Sequence, residues 1–200
     1  MDKHWQKVDG IPNIEKLQKT ILDILIRRNI NKMVPLRPLF ADHVWDFIQA
    51  NPHPVWDNLK IKNGLIFFSR PNSEQGLHVD GFTKSRTNAA DVALNIPIYN
   101  CSQGTMHWYG GAEYTLEERE VNKDQEHKFG SRIKMSIANS KRGATKYLKL
   151  TWNGDPVEID QTLVDQPCLV RIDVPHQAIN TSNDRRIMLS LRFDPDLKFI

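Results

Sequence analysis

The sequence predicts a mainly β protein, a sandwich or barrel of antiparallel strands with helices packed against one face. Three observations lead to this prediction. After Gly64, short β-branched and aromatic runs recur at fairly regular spacing and are separated by turn residues. The first sixty residues instead have apolar positions at helical spacing. Finally, no Gly-rich loop opens a helix and no βαβ alternation occurs, which disfavours a nucleotide-binding α/β fold.

Length and composition indicate one domain. The chain has 200 residues, of which 40% are hydrophobic and 26% charged, with a formal net charge of +3. We expect a single domain over 1–200, with a helical flank over 1–60 and a β core over 61–200. No apolar run approaches the roughly 18–20 residues that span a bilayer. The first residues lack a hydrophobic signal core, so we expect a cytoplasmic protein without membrane partners.

Two amphipathic helices are expected in the flank. Asn13 is a candidate N-cap of the first helix. The apolar face of that helix comprises Ile14, Leu17, Ile21, Leu22, Ile24 and Leu25. The second helix follows Pro38 as LFADHVWDFIQAN, and Pro52 and Pro54 end it. Both apolar faces require covering, so the helices should pack against the β core.

Strand character is present in seven segments. They are GLIFFSR, LHVDGF, VALNIPIYN, TMHWYGG, KYLKLTW, CLVRIDV and IMLSLRF. Pro97, inside the third, indicates a bulge or an edge position. On the last strand one face is apolar, and the other consists of Arg186, Met188, Ser190 and Arg192. The two cysteines, Cys101 and Cys168, form neither a disulfide framework nor a CxxC zinc site, and we expect buried thiols.

A polar insertion is expected over about 113–150. Its first part, 113–126, is mostly acidic, whereas 128–149 contains seven cations and no acid. The aromatic residues near these cations are Phe129, Tyr147 and Trp152. Aromatic and basic residues together can bind a peptide or nucleic-acid substrate, and the alternative is a solvated hairpin between core strands.

His78 and Asp80 form the motif with the clearest chemistry. Residues i and i+2 of a strand point to one face, so an imidazole and a carboxylate converge there. Such a pair occurs about once by chance in a chain of this composition, and it is equally compatible with a polar strand end. His176 follows another apolar strand, and Arg186 comes ten residues later. Two histidines and one carboxylate are the ligands of non-haem Fe(II) oxygenases, and a guanidinium suits the distal carboxylate of a 2-oxo acid.

The order His78-x-Asp80, His176, Arg186 resembles the Fe(II)/2-oxoglutarate-dependent oxygenase superfamily, whose fold is a double-stranded β-helix (jelly-roll or cupin-like). The segments HVDGF, ALNIPIYN and PHQAINTSNDRRIMLSLRF resemble small oxygenase-like proteins, including phage-encoded ones, and the aspartyl/asparaginyl hydroxylase branch. This similarity covers roughly residues 64–112 and 160–195. Some members of that branch lack the carboxylate ligand, which Asp80 supplies here.

The resemblance implies a site and an activity. His78, Asp80 and His176 would be the catalytic iron ligands, Arg186 would anchor 2-oxoglutarate, and Asn95 would be a second co-substrate contact. The implied enzyme is a dioxygenase that uses Fe(II), 2-oxoglutarate and O₂, releases succinate and CO₂, and hydroxylates a C–H bond. Its substrate is left open among a peptidyl side chain, a free amino acid and a nucleobase.

Several alternatives remain open from the sequence. Arg185, on the opposite face of the strand, is the alternative anchor, and Arg186 can instead pair with Asp184 or Asp173 at the surface. His107 is the rival metal ligand, although a packed or pocket-lining role is the simpler interpretation. The rival functions are a non-catalytic jelly-roll binding protein and a cupin-type metalloenzyme that uses no 2-oxo acid.

Overall fold

The computed structural model describes residues 3–36, 39–57, 59–80, 91–121, 145–194, 197 and 199. The helices are α1 (Ile14–Arg27) and α2 (Ala41–Ala50). The strands are β1 (Trp5–Lys7), β2 (Val34–Pro35), β3 (Lys60–Ser69), β4 (Ser73–Glu74), β5 (Val92–Tyr99), β6 (Gly104–Gly110), β7 (Glu113–Val121), β8 (Thr145–Asn153), β9 (Val157–Leu163), β10 (Cys168–Arg171), β11 (His176–Asn180) and β12 (Arg186–Asp194). The predicted class, mainly β with flanking helices, is confirmed.

Ten strands form two antiparallel sheets that enclose the interior of a sandwich. The larger sheet has the order β1-β10-β5-β12-β3-β2 and the smaller has the order β4-β11-β6-β9. From β3 onward the chain passes repeatedly between them, placing β3, β5, β10 and β12 in one sheet and β4, β6, β9 and β11 in the other. This eight-strand arrangement is a jelly roll, the double-stranded β-helix that the resemblance implied.

Hydrophobic clusters lie on both faces of the larger sheet. On its outer face, Ile21 of α1 packs with Ile96 and Leu189 of the sheet, and all three are fully buried. On its inner face, Met188 of β12 clusters with Trp108 of the smaller sheet. Since residues alternate along a strand, the polar residues that share a face with Met188 point into the sandwich.

The first helix begins where it was predicted, and Asn13 occupies its N-cap position, although the side chain does not form the expected cap. Asn13 makes no side-chain capping bond and adopts a left-handed conformation with φ 54°. Its Nδ2 donates instead to Asn51 Oδ1 over 2.8 Å, which links the start of α1 to the end of α2. Asparagine tolerates this conformation better than most residues, so tertiary contact outweighs local capping here.

Six of the seven predicted strands are confirmed, and LHVDGF is wrong. His78 forms an isolated bridge with His176, Asp80 lies outside any strand, and the last two residues of the segment, 81 and 82, are outside the described part of the chain. Pro97 lies in β5, which has neighbours on both sides, so the edge alternative is wrong. The bulge alternative is confirmed, because the pairing register of β12 shifts opposite Pro97, between Ile187 and Met188.

The expected helical flank and polar insertion both contain strands that the sequence did not reveal. β1 and β2 extend the two edges of the larger sheet. β7 pairs with β8 in a separate two-stranded sheet, and residues 122–144 between them are outside the described ranges. β4, β9 and β11 were also missed.

Both cysteines are free and buried, as predicted. Burial raises the pKa of the Cys168 thiol to about 12. Neither of the two described helices combines the length and apolarity needed to cross a membrane.

Candidate metal centre

Two histidines and one aspartate converge where β11 begins. One potential ligand atom from each of His78, Asp80 and His176 lies within 4.8 Å of the others. His78 Nε2 is 3.3 Å from Asp80 Oδ1, and the centroids of the two imidazole rings are 4.2 Å apart. Within the described part of the chain, this is the one group of three such side chains close enough to share a metal ion.

Backbone hydrogen bonds hold this cluster together. His176 N donates to His78 O over 2.8 Å, and His78 N donates back to His176 O over 3.0 Å. Asp80 N donates to Ile172 O, just beyond β10, over 2.8 Å. The extended segment therefore places His78 and Asp80 on one side, as the i, i+2 argument predicted, although one bridge replaces the expected strand.

A backbone carbonyl fixes the tautomer of each imidazole. His78 Nδ1 lies 2.8 Å from Gly76 O, and His176 Nδ1 lies 2.8 Å from Val174 O. Because a carbonyl oxygen only accepts, each Nδ1 must donate its proton. In its neutral form each ring then has its lone pair on Nε2, which is the atom that can ligate a metal. In its protonated form, His78 instead directs an Nε2 proton at Asp80 Oδ1, 3.3 Å away.

Arg192 orients the carboxylate, a role that the sequence interpretation missed. It is 7% exposed, and its Nη2 donates to Asp80 Oδ2 over 3.0 Å. Its Nη1 donates to Ser190 Oγ over 2.8 Å. The other carboxylate oxygen, Oδ1, faces His78. The sequence contained one signal for this role: Arg192 is an even number of residues from Arg186 on β12, so the two side chains share a face of the strand.

The electrostatics of the cluster favour an ionised carboxylate. Burial by itself raises the pKa of Asp80, but the hydrogen bond from His78 outweighs it, together with the charges of His78, His176 and Arg192. The pKa of Asp80 consequently lies well below its usual value. The three side chains thus offer one anionic oxygen and two imidazole nitrogens to a divalent cation.

Arg186 lies inside the sandwich and not at its surface. It is 4% exposed, its Nη1 is 3.5 Å from Ile179 O, and its Nε has no hydrogen-bond partner among the described residues. The proposed surface pairs are not formed, because Asp173 binds Arg171 and Asp184 binds Tyr99.

The alternative anchor, Arg185, lies on the other side of the strand. Its side chain is exposed, with Cζ 5.9 Å from the ring centroid of Phe68. Of the two neighbouring arginines, Arg186 is therefore the one that faces the interior.

Asn95 also faces the interior. It pairs in register with Ser190, so it lies on the same face of the larger sheet as Arg192. The residue is 9% exposed, and its Oδ1 has no hydrogen-bond partner in the described ranges. Buried polar atoms normally have partners, so the unpaired atoms on Asn95 and Arg186 mark two polar side chains of the interior whose hydrogen bonding is incomplete.

His107 does not belong to the cluster. On β6 it precedes Trp108, which pairs with His176, so the His107 ring points to the outer face of the smaller sheet. There it lies 2.8 Å from Glu158 Oε2 through Nδ1 and 2.8 Å from Thr105 Oγ1 through Nε2. The rival ligand assignment is therefore wrong, and the packed interpretation is confirmed.

Comparison with known proteins gives similarities of fold. No protein-family model and no curated protein matches the chain. HygX from Streptomyces hygroscopicus, solved with nickel and 2-oxoglutarate bound, is similar over 94% of this chain and 81% of its own, with TM-score 0.46 and 11% identity. A Pseudomonas putida prolyl-4-hydroxylase is similar over 98% of this chain and 95% of its own, with TM-score 0.47 and 10% identity. Viral collagen prolyl hydroxylase from Paramecium Bursaria Chlorella virus-1, in its 2OG complex, is similar over 94% of this chain and 94% of its own, with TM-score 0.37 and 13% identity.

Proposed function

We propose that this protein is an Fe(II)- and 2-oxoglutarate-dependent dioxygenase that hydroxylates an organic substrate. The observation that carries the proposal is the convergence of His78, Asp80 and His176 within 4.8 Å. Two imidazoles and one carboxylate suit non-haem iron and leave coordination positions open for a co-substrate and O₂. The fixed Nδ1 tautomers support this donor set, because they direct both Nε2 lone pairs away from the backbone.

The interior also suits a dicarboxylate co-substrate. Arg186 is buried, and none of the described carboxylates forms an ion pair with it. A buried guanidinium is costly unless an anion pairs with it, and the distal carboxylate of 2-oxoglutarate is such an anion. Asn95 offers a second polar contact on the same face of the sheet.

Each residue then has a distinct task. Bound iron would supply the activation of O₂ that is coupled to oxidative decarboxylation of 2-oxoglutarate. His78, Asp80 and His176 would hold the ion, while Arg192 keeps Asp80 Oδ1 turned toward the imidazoles. Arg186 and Asn95 would bind the co-substrate. The buried apolar residues of the interior, among them Met106, Trp108 and Met188, exclude bulk water from it.

The substrate and its binding surface stay predictions. The basic segment proposed for a peptide or nucleic-acid substrate, 128–149, lies almost wholly outside the described residues. Its described end belongs to β8, whose partner β7 leads directly from the smaller sheet.

The metal assignment is tested by anaerobic titration with Mn(II), read by the electron paramagnetic resonance of the free ion. Substituting a residue that hydrogen-bonds to a metal ligand lowers metal affinity by about 10–100-fold. Removing a ligand itself should cost more, so His176→Ala and Asp80→Ala should each weaken Mn(II) binding by at least about 100-fold. His107→Ala, at a histidine outside the cluster, is the matched control and should bind like wild type. Full succinate formation by either ligand variant would contradict the assignment, and a wild type that binds no metal would favour the non-catalytic jelly roll.

The co-substrate assignment is tested by 2-oxoglutarate binding to the Mn(II) form. Hydrogen bonds to a charged group contribute about 1.5–3 kcal/mol, so Arg186→Ala should weaken binding by about 10- to 100-fold without changing Mn(II) affinity. Arg185→Ala, one position away on the opposite face, is the control. Unchanged 2-oxoglutarate affinity in Arg186→Ala would favour a cupin-type metalloenzyme that uses no 2-oxo acid.

A further inference from the structure

Gly104, the first residue of β6, faces Arg186 across the sandwich at very short range. A Cβ placed on Gly104 would lie 2.5 Å from Arg186 Nε and 2.7 Å from both Cδ and Cζ. Real Cβ atoms essentially never approach another heavy atom within 3.0 Å. The guanidinium therefore occupies the space that any other side chain at position 104 would fill.

The backbone of Gly104 has little freedom to withdraw. Its N donates to Cys101 O over 3.0 Å, and its O accepts from Val164 N over 2.9 Å. It also pairs in register with Asn180 of β11. Its φ is not positive, so the conformation is one that alanine adopts, and the requirement for glycine is one of space.

Arg186 has two further close neighbours, one on β11 and one just after β5. The side chain is buried against Ile179 O, and the Cys101 thiol lies within hydrogen-bonding reach of the guanidinium. The Cys101 Sγ is itself held, 3.2 Å from Ile187 O and 3.3 Å from Tyr99 O. Packing, rather than an ion pair with a described carboxylate, thus sets the direction in which Arg186 presents its charge.

We infer that Gly104 is a positioning residue for the co-substrate. Because it has no side chain, the Arg186 guanidinium can occupy the position from which it binds a 2-oxo dicarboxylate. The identity of the ligand rests on the proposed function, whereas the packing does not. A larger residue at 104 displaces the guanidinium and leaves the metal ligands in place. Asn180, the partner of Gly104, lies four positions after His176 on β11, roughly 13 Å at about 3.3 Å per residue, so the metal cluster is remote from the change.

The first test compares Gly104→Ala with Gly110→Ala at the other end of the same strand. A Cβ at Gly110 would meet the side chain of Ile159 at 3.2 Å, and that side chain is 46% exposed and able to move. In anaerobic calorimetry, Gly104→Ala should raise the 2-oxoglutarate Kd about tenfold or more, because the geometry of a two-pronged pair is lost. Gly110→Ala should leave that Kd unchanged, and both variants should keep wild-type Mn(II) affinity. Wild-type 2-oxoglutarate affinity in Gly104→Ala would overturn the inference.

The second test measures packing without any ligand. Gly104→Ala should lower the Tm in the wild-type background but not in the Arg186→Ala background, where the guanidinium is absent. Rescue of a poorly folded Gly104→Ala protein by the Arg186→Ala change would support the same conclusion. Equal losses of Tm in both backgrounds would overturn it. If the two changes couple but wild type binds Mn(II) and no 2-oxoglutarate, the proposed function fails and the positioning role fails with it, while the packing description stands.

Discussion

Removing the guanidinium of Arg192, which binds Asp80 and Ser190, should lower the free energy of unfolding by about 3 kcal/mol. The hydrogen bond from Arg192 Nη2 to Asp80 Oδ2 spans 3.0 Å, and a bond between charged groups contributes roughly 1.5–3 kcal/mol. The bond to Ser190 Oγ, at 2.8 Å, adds about 1 kcal/mol. Removing one partner of a fully buried pair costs about 3–5 kcal/mol, but the Asp80 side chain is 31% exposed and faces two imidazoles, which favours the lower end.

The perturbation is Arg192→Met, which retains most of the apolar stem and removes the guanidinium. Urea unfolding followed by tryptophan fluorescence gives the loss of stability. In a domain of this size about 1 kcal/mol corresponds to roughly 2–4 °C, so the Tm should fall by about 6–12 °C. Arg185→Met, at the exposed neighbouring cation, is the control and should stay within about 0.5 kcal/mol of wild type.

A double-mutant cycle with Asp80→Asn and a pH series make the test specific. The folded-state pKa of Asp80 is depressed, so the stability it contributes is fully present above the usual value of 3.8 and is lost as the pH falls through the folded-state pKa. The difference between wild type and Arg192→Met should therefore be constant near neutral pH and shrink in acid. Additive effects of the two changes, or a loss under about 1 kcal/mol, would refute the reasoning.

Three further outcomes are expected from residues away from the cluster. Native Cys168 should resist iodoacetamide up to pH 9 while the urea-unfolded thiol reacts, as mass spectrometry would show. Since its folded-state pKa is raised to about 12, stability should decrease from about pH 9 upward, where the unfolded thiol ionises first. Tyr99→Phe should raise the pKa of Asp184, which the Tyr99 hydroxyl and the Arg185 amide now depress, and a carboxyl NMR titration would detect the change; its cost in stability should fade as the pH drops below the usual value of 3.8. Ile21→Ala, at a fully buried position of α1, should cost about 2–5 kcal/mol in chemical denaturation, whereas Ile26→Ala, at a position 67% exposed, should cost under about 0.5 kcal/mol.

Sequence patterns predicted those helices and strands in which the periodic apolar residues are also the residues that become buried. β12 illustrates this, since Leu189 and its apolar neighbours pack against the helices while Arg186, Ser190 and Arg192 face the interior. β1, β2 and β4 contain only two or three residues, too few for any periodicity, and exist because neighbouring strands pair with them. β11 is largely polar, so the alternation that marks a half-buried strand is weak in it. β9 does alternate, but its apolar positions Val157, Ile159 and Leu163 lie on an exposed face, so its pattern does not correspond to burial.

The candidate site was predictable where it depends on local spacing. His78 and Asp80 are two residues apart, so their convergence follows from extended backbone. The contact between Arg192 and Asp80 joins positions 112 residues apart, and it depends on the register of β12 against a segment without regular structure. The close approach of Arg186 to Gly104 likewise depends on the spacing between two sheets, which no local pattern encodes.

The short strands at the two ends of the larger sheet have a practical consequence for handling this protein. β1 covers the outer side of β10, and β2 covers the outer side of β3. β10 begins with three fully buried residues, Cys168 to Val170, so a truncation that removes residues 3–8 would leave an open, apolar sheet edge on which a second molecule can add a strand. Affinity tags are therefore better appended ahead of Lys3 than substituted for the first residues, and loss of soluble yield after trimming would reflect edge-to-edge aggregation rather than damage to the interior of the sandwich.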